Sequence, residues 1–444
     1  MAVVPVGGYR RAGREPPGVG GGHRVVADLR HHLADYRKRD NLPGPEHDRV
    51  RSKASITLLS VGHACVDVYQ GAVASLIPFL VAERAYGYAA ASGVVLAASL
   101  LSSVAQPLFG ALTDRRPVPW LLPAGTLLAG LGIALSGSTD AYALTLLCVA
   151  VSGAGVAAYH PESARVARLA GGGSHSAMAW FSLGGNAGFA LAPLLVTAVV
   201  GTGGLRWTPL LLLPALVGAA LNLTVLRAPE RRHPTGGAPA AGADDLRSFL
   251  RLSLAVVCRS VVFTGLSSFL SLYAAERTGG GTTAGTAALF VLYLGGAAGS
   301  VLGGRLAGRW DRVAVCRWSY LLSVAAVAGV VWVPGPALYM CVALTSAGLY
   351  VPFSLQVTLG QDYLPTRVGT AGGVTLGLTV SVGGLAGPLI GRVADATSLR
   401  TALAPLVLMP ALSWLLLRTL PEPAGPGGRA GAPAAVVQRA VPKS

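Results

Sequence analysis

Several polar and ionisable residues fall in stretches that are otherwise apolar. His63, Asp67 and Gln70 follow one another at i, i+4 and i+7, which sets all three on one face of a helix. A carboxylate one turn from an imidazole can bind and release a proton at accessible pH. The alternative for this face is a structural hydrogen-bond knot between helices. Arg259 lies eight residues beyond Arg251, roughly 12 Å deeper at 1.5 Å per residue. A charge at the middle of a spanning helix costs about 2.5–3.5 kcal/mol. Arg259 therefore needs a partner: Asp67, or an anionic group on a bound substrate. Glu162 and Arg165 are i, i+3 neighbours in "AAYHPESARVARLAGGG" and can pair locally, either as part of a gate or as a plain helix-end cluster.

Other chemistries are absent from the chain. There is no G-x-x-x-x-G-K-[ST], so direct ATP-driven work is disfavoured. Neither H-E-x-x-H nor G-x-S-x-G occurs, so an embedded enzyme using His63 or His160 lacks a nucleophile–base motif. The cysteines, Cys65, Cys148, Cys258, Cys316 and Cys341, form no C-x-x-C pair and read as small buried hydrophobes, not metal ligands or disulfides. No metal and no cofactor is expected.

The elements that must position these residues are membrane helices. Charged residues make up 12% of the 444-residue chain, half of the quarter or so usual in soluble domains. The apolar residues come in runs of bilayer-spanning length. Spans are expected at 55–82, 87–111, 118–138, 141–164, 176–201 and 207–227, then at 248–275, 284–308, 313–333, 336–358, 367–394 and 399–418. The chain thus divides into a cytoplasmic tail (1–54), a six-helix bundle (55–227), a Pro/Gly-rich linker (228–247), a second bundle (248–420) and a C-terminal tail (421–444). Both tails are expected to be largely disordered, unless the basic stretch around residues 24–39 forms a helix lying on an anionic leaflet.

The net charge of +16 does not indicate nucleic-acid binding, because the basic residues sit in loops and tails without interleaved aromatics. Arg115, Arg116, Arg165, Arg168, Arg227, Arg231, Arg232, Arg247, Arg305, Arg309, Arg312, Arg317 and Arg367 gather on one side. Arg84, Arg206, Arg277, Arg392 and Arg400 lie on the other. The excess of arginine predicts that both termini are cytoplasmic, with the chain a monomer in a bacterial plasma membrane.

The halves repeat. Gly110-Ala-Leu-Thr-Asp114-Arg115 recurs as Gly304-Arg-Leu-Ala-Gly308-Arg309, an offset of 194. Gly188-Phe-Ala-Leu-Ala192-Pro193 recurs as Gly383-Gly-Leu-Ala-Gly387-Pro388, an offset of 195. Parallel six-helix repeats with a site between them are a transporter architecture. The glycines of spans five and eleven permit close helix approach, and Pro193 and Pro388 are expected to kink those helices as hinges.

"GALTDRR" (110–116) resembles the loop signature of the major facilitator superfamily, in which the aspartate and arginines latch the cytoplasmic ends of the two bundles. By that resemblance Asp114 and Arg115 belong to a gate; the Glu162–Arg165 cluster at the same end adds Arg165 to it, and the helix dipole favours Asp114 at the amino end of span eleven. The second copy departs from the pattern at Gly308. "QPLFGALTDRRPVPWLLPAG", "YHPESARVARLAGGGSHS", "FSLGGNAGFALAPLL", "QDYLPTRVGTAGG" and His63-x3-Asp67-x2-Gln70 are similar to the fosmidomycin-resistance proteins within that superfamily. The resemblance spans about residues 56–418. It implies proton-coupled efflux of a small phosphonate antibiotic, and the cost of intramembrane charge then points to Asp67, His63 and Glu162 as proton-coupling residues. Arg259, Gln70, His160 and Asn186 would be the substrate-binding residues. Arg259 stands where the family pattern leads one to expect lysine.

The expected fold is therefore an all-α membrane protein of twelve helices in two pseudo-symmetric bundles. The expected activity is secondary active export by alternating access, with small-molecule substrate, protons and lipid as partners; the alternative is proton-coupled metabolite uptake. In a cysteine-free background, cysteines placed at Ser138 and Thr278 should label with an impermeant reagent from outside the cell. Labelling at the 228–247 linker in intact cells would reverse this orientation.

Overall fold

The computed structural model describes residues 45–171, 175–226 and 243–423; readings that fall on the remaining residues, in the two tails and most of the linker, lie outside these. Ten of the described helices are long and apolar enough to cross a membrane. The first six helices are α1 (Pro45–Arg84), α2 (Tyr88–Arg115), α3 (Leu121–Ser136), α4 (Tyr142–Ala170), α5 (His175–Gly203) and α6 (Leu213–Leu226), the last entered through a 3-10 turn. The next four are α7 (Leu246–Thr278), α8 (Gly281–Ala307), α9 (Arg312–Trp332) and α10 (Ala337–Tyr363). The eleventh run is broken into α11 (Val368–Gly373), a π turn (Val374–Leu378), α12 (Thr379–Gly384) and α13 (Ala386–Ala396). The twelfth comprises α14 (Leu399–Leu403), a 3-10 turn and α15 (Leu408–Leu417). The shorter apolar α3 and the broken eleventh run bring the order to the twelve expected.

The sequence places the first span at 55, whereas α1 already begins at Pro45. The prolines also behave differently from one another. Pro193 lies inside a continuous α5. Pro388 lies in the first turn of α13, where a missing N–H costs no helical bond. The break in the eleventh run comes earlier, at the π turn and at Leu385.

Each half has its own apolar core. One joins Leu59, Val66, Tyr69, Leu122 and Ile133 to Tyr159 and Val196. The other joins Leu252, Val262, Phe269 and Leu289 to Tyr320, Leu349 and Leu403. Large apolar side chains such as Leu108 (69% exposed) and Trp318 (64% exposed) face outward. On a soluble protein such a surface would drive association; in a bilayer it meets lipid, with tryptophans near the helix ends at headgroup level.

The internal repeat is visible in the packing. A Cβ built on Gly188 of α5 would strike the Ala64 backbone of α1, and one on Gly383 of α12 would strike Ser260 of α7. The fifth and eleventh runs thus lie on the first and seventh at matching positions.

The halves meet towards the arginine-poor end. The Asp395 carboxylate, at the end of α13, accepts from the backbone N–H groups of Tyr88 (2.7 Å) and Ala89 (3.0 Å) at the start of α2. This satisfies two donors that a helix start leaves open. A Cβ on Gly391 would fall on the Ala89 backbone, so only glycine allows this approach. The halves are also joined by a 2.7 Å hydroxyl hydrogen bond between Thr197 of α5 and Thr286 of α8. At the arginine-rich end, Arg312 binds Asp362 (2.6 Å) and Glu422 (2.7 Å) within the second half. Asp245 caps α7 by accepting from Ser248 N–H at 3.0 Å, which holds its carboxyl below the usual carboxylate range.

Asp395→Ala removes a cap whose loss costs about 1 kcal/mol, so the arginine-poor face should open roughly fivefold more often. Spin labels at Ser138 and Thr278 should report a larger population of long distances in this variant, and an unchanged distance distribution would exclude the cap as a gate.

Candidate functional site

The His63–Asp67–Gln70 face of α1 looks into the first half, as its spacing predicts. His63 and Asp67 are buried, at 7% and 5% exposure. His63 Nε2 lies 3.3 Å from Asp67 Oδ2, and Gln70 Nε2 donates to Asp67 Oδ1 at 2.8 Å. A third member arrives from α4: His160 Nε2 lies 3.2 Å from Asp67 Oδ1 and 3.3 Å from His63 Nε2.

The backbone fixes both imidazoles. His63 Nδ1 is 2.9 Å from the Phe181 carbonyl, and His160 Nδ1 is 2.8 Å from the Val156 carbonyl. A carbonyl only accepts, so each Nδ1 carries a hydrogen and each Nε2 of a neutral ring presents a lone pair. His63 also stacks on the Phe181 ring, with centroids 4.2 Å apart. Two lone pairs and a carboxylate therefore converge, and a single proton would convert the nearest repulsive contact into a charge-assisted hydrogen bond. The cluster can hold a positive charge between its members and release it.

Helix α5 closes the cluster. A Cβ on Gly185 would meet both Asp67 and His63, and one on Gly184 would meet the Ser60 backbone. The GGNAG stretch is thus a close-approach surface with a specific purpose. Asn186, expected to bind substrate, is half-buried on the same helix. Gln70 lines a cavity of about 110 Å³ between the two halves, together with Tyr69, Ser102, Phe263, Thr264 and Tyr293.

Arg259 does not reach Asp67. Its guanidinium carbon lies 5.0 Å above the Phe353 ring, a cation–π contact of about 0.5–2 kcal/mol. It is 4% exposed, and among the described residues no carboxylate pairs with it and its Nε has no hydrogen-bond partner. Gln356 of α10 donates to Tyr320 Oη at 2.7 Å, leaving its own Oε1 without a donor among the described residues. The Asp67–Arg259 pair expected from sequence is thus replaced by two separate sites, because Asp67 is already taken by the histidines.

These two sites occupy equivalent places. Residues 63 and 259 are 196 apart, and so are residues 160 and 356, close to the 195 that relates Gly188 to Gly383. His63 and His160 in one half thus correspond to Arg259 and Gln356 in the other.

Glu162 is fully buried and is held by Arg165 through two bonds, at 2.9 and 2.5 Å. The local pairing predicted from i, i+3 spacing is present, and Glu162 takes no part in the Asp67 cluster. Arg115 is exposed at the end of α2; the Asp114 side chain lies outside what the structure describes. Sequence reasoning missed the Phe181 and Val156 carbonyls, Gly185 and Asp395. The signal available was the GG pair alone, since backbone partners carry no residue signature.

Comparison with known proteins bears on the whole arrangement. The Major Facilitator Superfamily profile matches residues 59–388. A protein of Escherichia coli K12 named "Fosmidomycin resistance protein" is 30% identical over 81% of this chain and 91% of its own length. A Bacillus subtilis 168 protein, "Uncharacterized MFS-type transporter YfnC", is 28% identical over the same shares. Among solved structures, an inward-facing bacterial homologue of the human lysosomal transporter Spinster aligns with a TM-score of 0.66 at 15% identity, covering 83% of this chain and 98% of that one. A mutant of the nucleoside transporter NupG aligns at 0.67 and 12% identity, covering 83% and 99%.

Gly185→Val should drive a branched side chain into Asp67 and His63 and abolish transport. Gly201→Val, at an exposed position of α5 whose nearest neighbour lies 3.4 Å away, should leave it intact. Transport assays at matched protein level decide; equal activity in the two variants would dissociate the cluster from function.

Proposed function

The chain belongs to the major facilitator superfamily and, within it, to the family of the fosmidomycin-resistance proteins, and on that premise we propose that it exports a small anionic or amphipathic compound in exchange for protons. It is a multi-pass membrane transporter and not an enzyme. The observation that carries the proposal is the pairing of two buried sites in equivalent places of the two halves, one an imidazole–carboxylate cluster and one an arginine on an aromatic ring.

His63, Asp67 and His160 bind the proton. Its arrival changes the cluster's charge without moving the imidazoles, since their Nδ1–H groups stay anchored on Phe181 and Val156. Arg259, always protonated and without a carboxylate of its own, receives an oxyanion of the compound. Gln70 links the proton cluster to the cavity between the halves. Each ligand biases the same rocking of one bundle against the other, so exchange requires no contact between proton and compound. Outward direction is supported by the resistance in the name of the Escherichia coli relative. The arginine excess on one face sets that face, and both termini, in the cytoplasm of a bacterial plasma membrane, with the chain acting as a monomer. Asp114, Arg115 and Arg165 gate the arginine-rich end.

Everted vesicles with an imposed proton gradient and fosmidomycin as the probe test the reading. Asp67→Asn should lose gradient-driven accumulation and pH dependence while retaining probe binding. Arg259→Gln should lose binding, and Arg259→Lys should regain part of it, since the charge is kept and the planar fork is lost. Full accumulation with wild-type pH dependence in Asp67→Asn would place the proton site elsewhere. Gradient-driven movement in the opposite sense would make the protein an uptake system.

A further inference from the structure

The three lone-pair donors that converge in the first half are spaced for more than a proton. We propose that His63, Asp67 and His160 form a binding site for a divalent transition-metal ion of the zinc type. His63 Nε2 and His160 Nε2 are 3.3 Å apart, and each lies 3.2–3.3 Å from an oxygen of the Asp67 carboxylate. An ion with four ligands at 2.0–2.1 Å separates neighbouring ligands by about 3.3 Å. The two imidazole nitrogens thus already stand at that spacing, and Asp67 turns one oxygen to each of them, Oδ2 to His63 and Oδ1 to His160; one ligand atom from each residue lies within 4.8 Å of the others, so a small rotation of the carboxylate completes three corners.

The surroundings have the character that metal ligands require. Each imidazole donates its far N–H to a backbone carbonyl, which orients the ring and directs Nε2 inward, and Asp67 is held by Gln70. Such outer partners set the tautomer and raise ligand basicity. The donor set selects the ion. Two imidazoles and one carboxylate suit Zn²⁺, Co²⁺ or Ni²⁺, whereas Mg²⁺ and Ca²⁺ require oxygen ligands in greater number. The fourth corner lies on the side of His160, whose side chain is 21% exposed while those of its partners are nearly closed off. Three protein ligands with one open position describe a site that exchanges its ion, not a structural knot. The sequence conceals this site because its third ligand lies 97 residues from the first.

The proposal goes beyond the transport reading and needs neither substrate nor gradient. The test is titration of the purified full-length chain in detergent with ZnCl₂, read by calorimetry and by thermal unfolding. The remaining histidines, His23, His31, His32, His47, His175 and His233, supply a background common to every variant. The wild type should bind one more equivalent of Zn²⁺ than His160→Ala, and only the wild type should gain thermal stability from that equivalent. Loss of a ligand should weaken that site by about 100-fold, at or beyond the upper end of what outer-partner changes cost. His160→Cys keeps a soft ligand at the same place and should restore the equivalent, with Cd²⁺ binding more tightly than to the wild type. MgCl₂ should give no such signal. Equal stoichiometry in the wild type and His160→Ala, or a His160→Cys that folds without regaining the equivalent, would overturn the site. If Zn²⁺ binding failed while Asp67→Asn still lost gradient-driven transport, the transport reading would stand without it.

Discussion

In hydrocarbon a polar atom has no water to turn to, so each buried donor or acceptor must find a protein partner or wait for a ligand. That constraint organises the interior of this protein. Glu162 is buried because Arg165 neutralises it. Asp67 is buried because two imidazoles and Gln70 surround it. The imidazoles are oriented by carbonyls of α4 and α5, and α5 reaches them because Gly184, Gly185 and Gly188 remove the side chains that would hold it off. Arg259 departs from this pattern, a buried cation resting on an aromatic ring with its Nε unpartnered among the described residues.

Duplication accounts for the layout. The copies keep their packing, with Gly188 on Ala64 and Gly383 on Ser260, while the polar pair set by that packing has diverged from His63 and His160 to Arg259 and Gln356. One half sets imidazoles beside a carboxylate where the other sets a guanidinium and an amide. A perfectly symmetric protein would repeat one set in both halves, whereas this one holds two different chemistries in matching places.

Much of this architecture is legible in the sequence. Apolar runs and the arginine-rich loops between them locate the spans to within a few residues at most ends, since length and hydropathy are properties of single segments. The face shared by His63, Asp67 and Gln70 follows from 3.6-residue periodicity, and the Glu162–Arg165 pair from i, i+3 spacing. What escapes is whatever depends on two distant segments meeting. His160 looks like a substrate contact until α4 is packed on α1. Arg259 looks like the partner of Asp67 until both histidines are counted. The π turn at Val374–Leu378 carries no proline to announce it, whereas Pro388, which does announce a break, begins a new helix instead.

The contact between α2 and α13 bears on what the carrier does at rest. Opening that face breaks the two bonds to Asp395 and the one between Thr197 and Thr286. At about 1 kcal/mol for the Asp395 cap and about 1 kcal/mol for the hydroxyl bond, these contacts alone would leave an unladen carrier open there on the order of a few per cent of the time. A transporter that parted there without a ligand would spend its conformational change on moving nothing. Three ordinary hydrogen bonds at the rim of the helices thus act as a brake on idle opening, weak enough for a bound ligand to release.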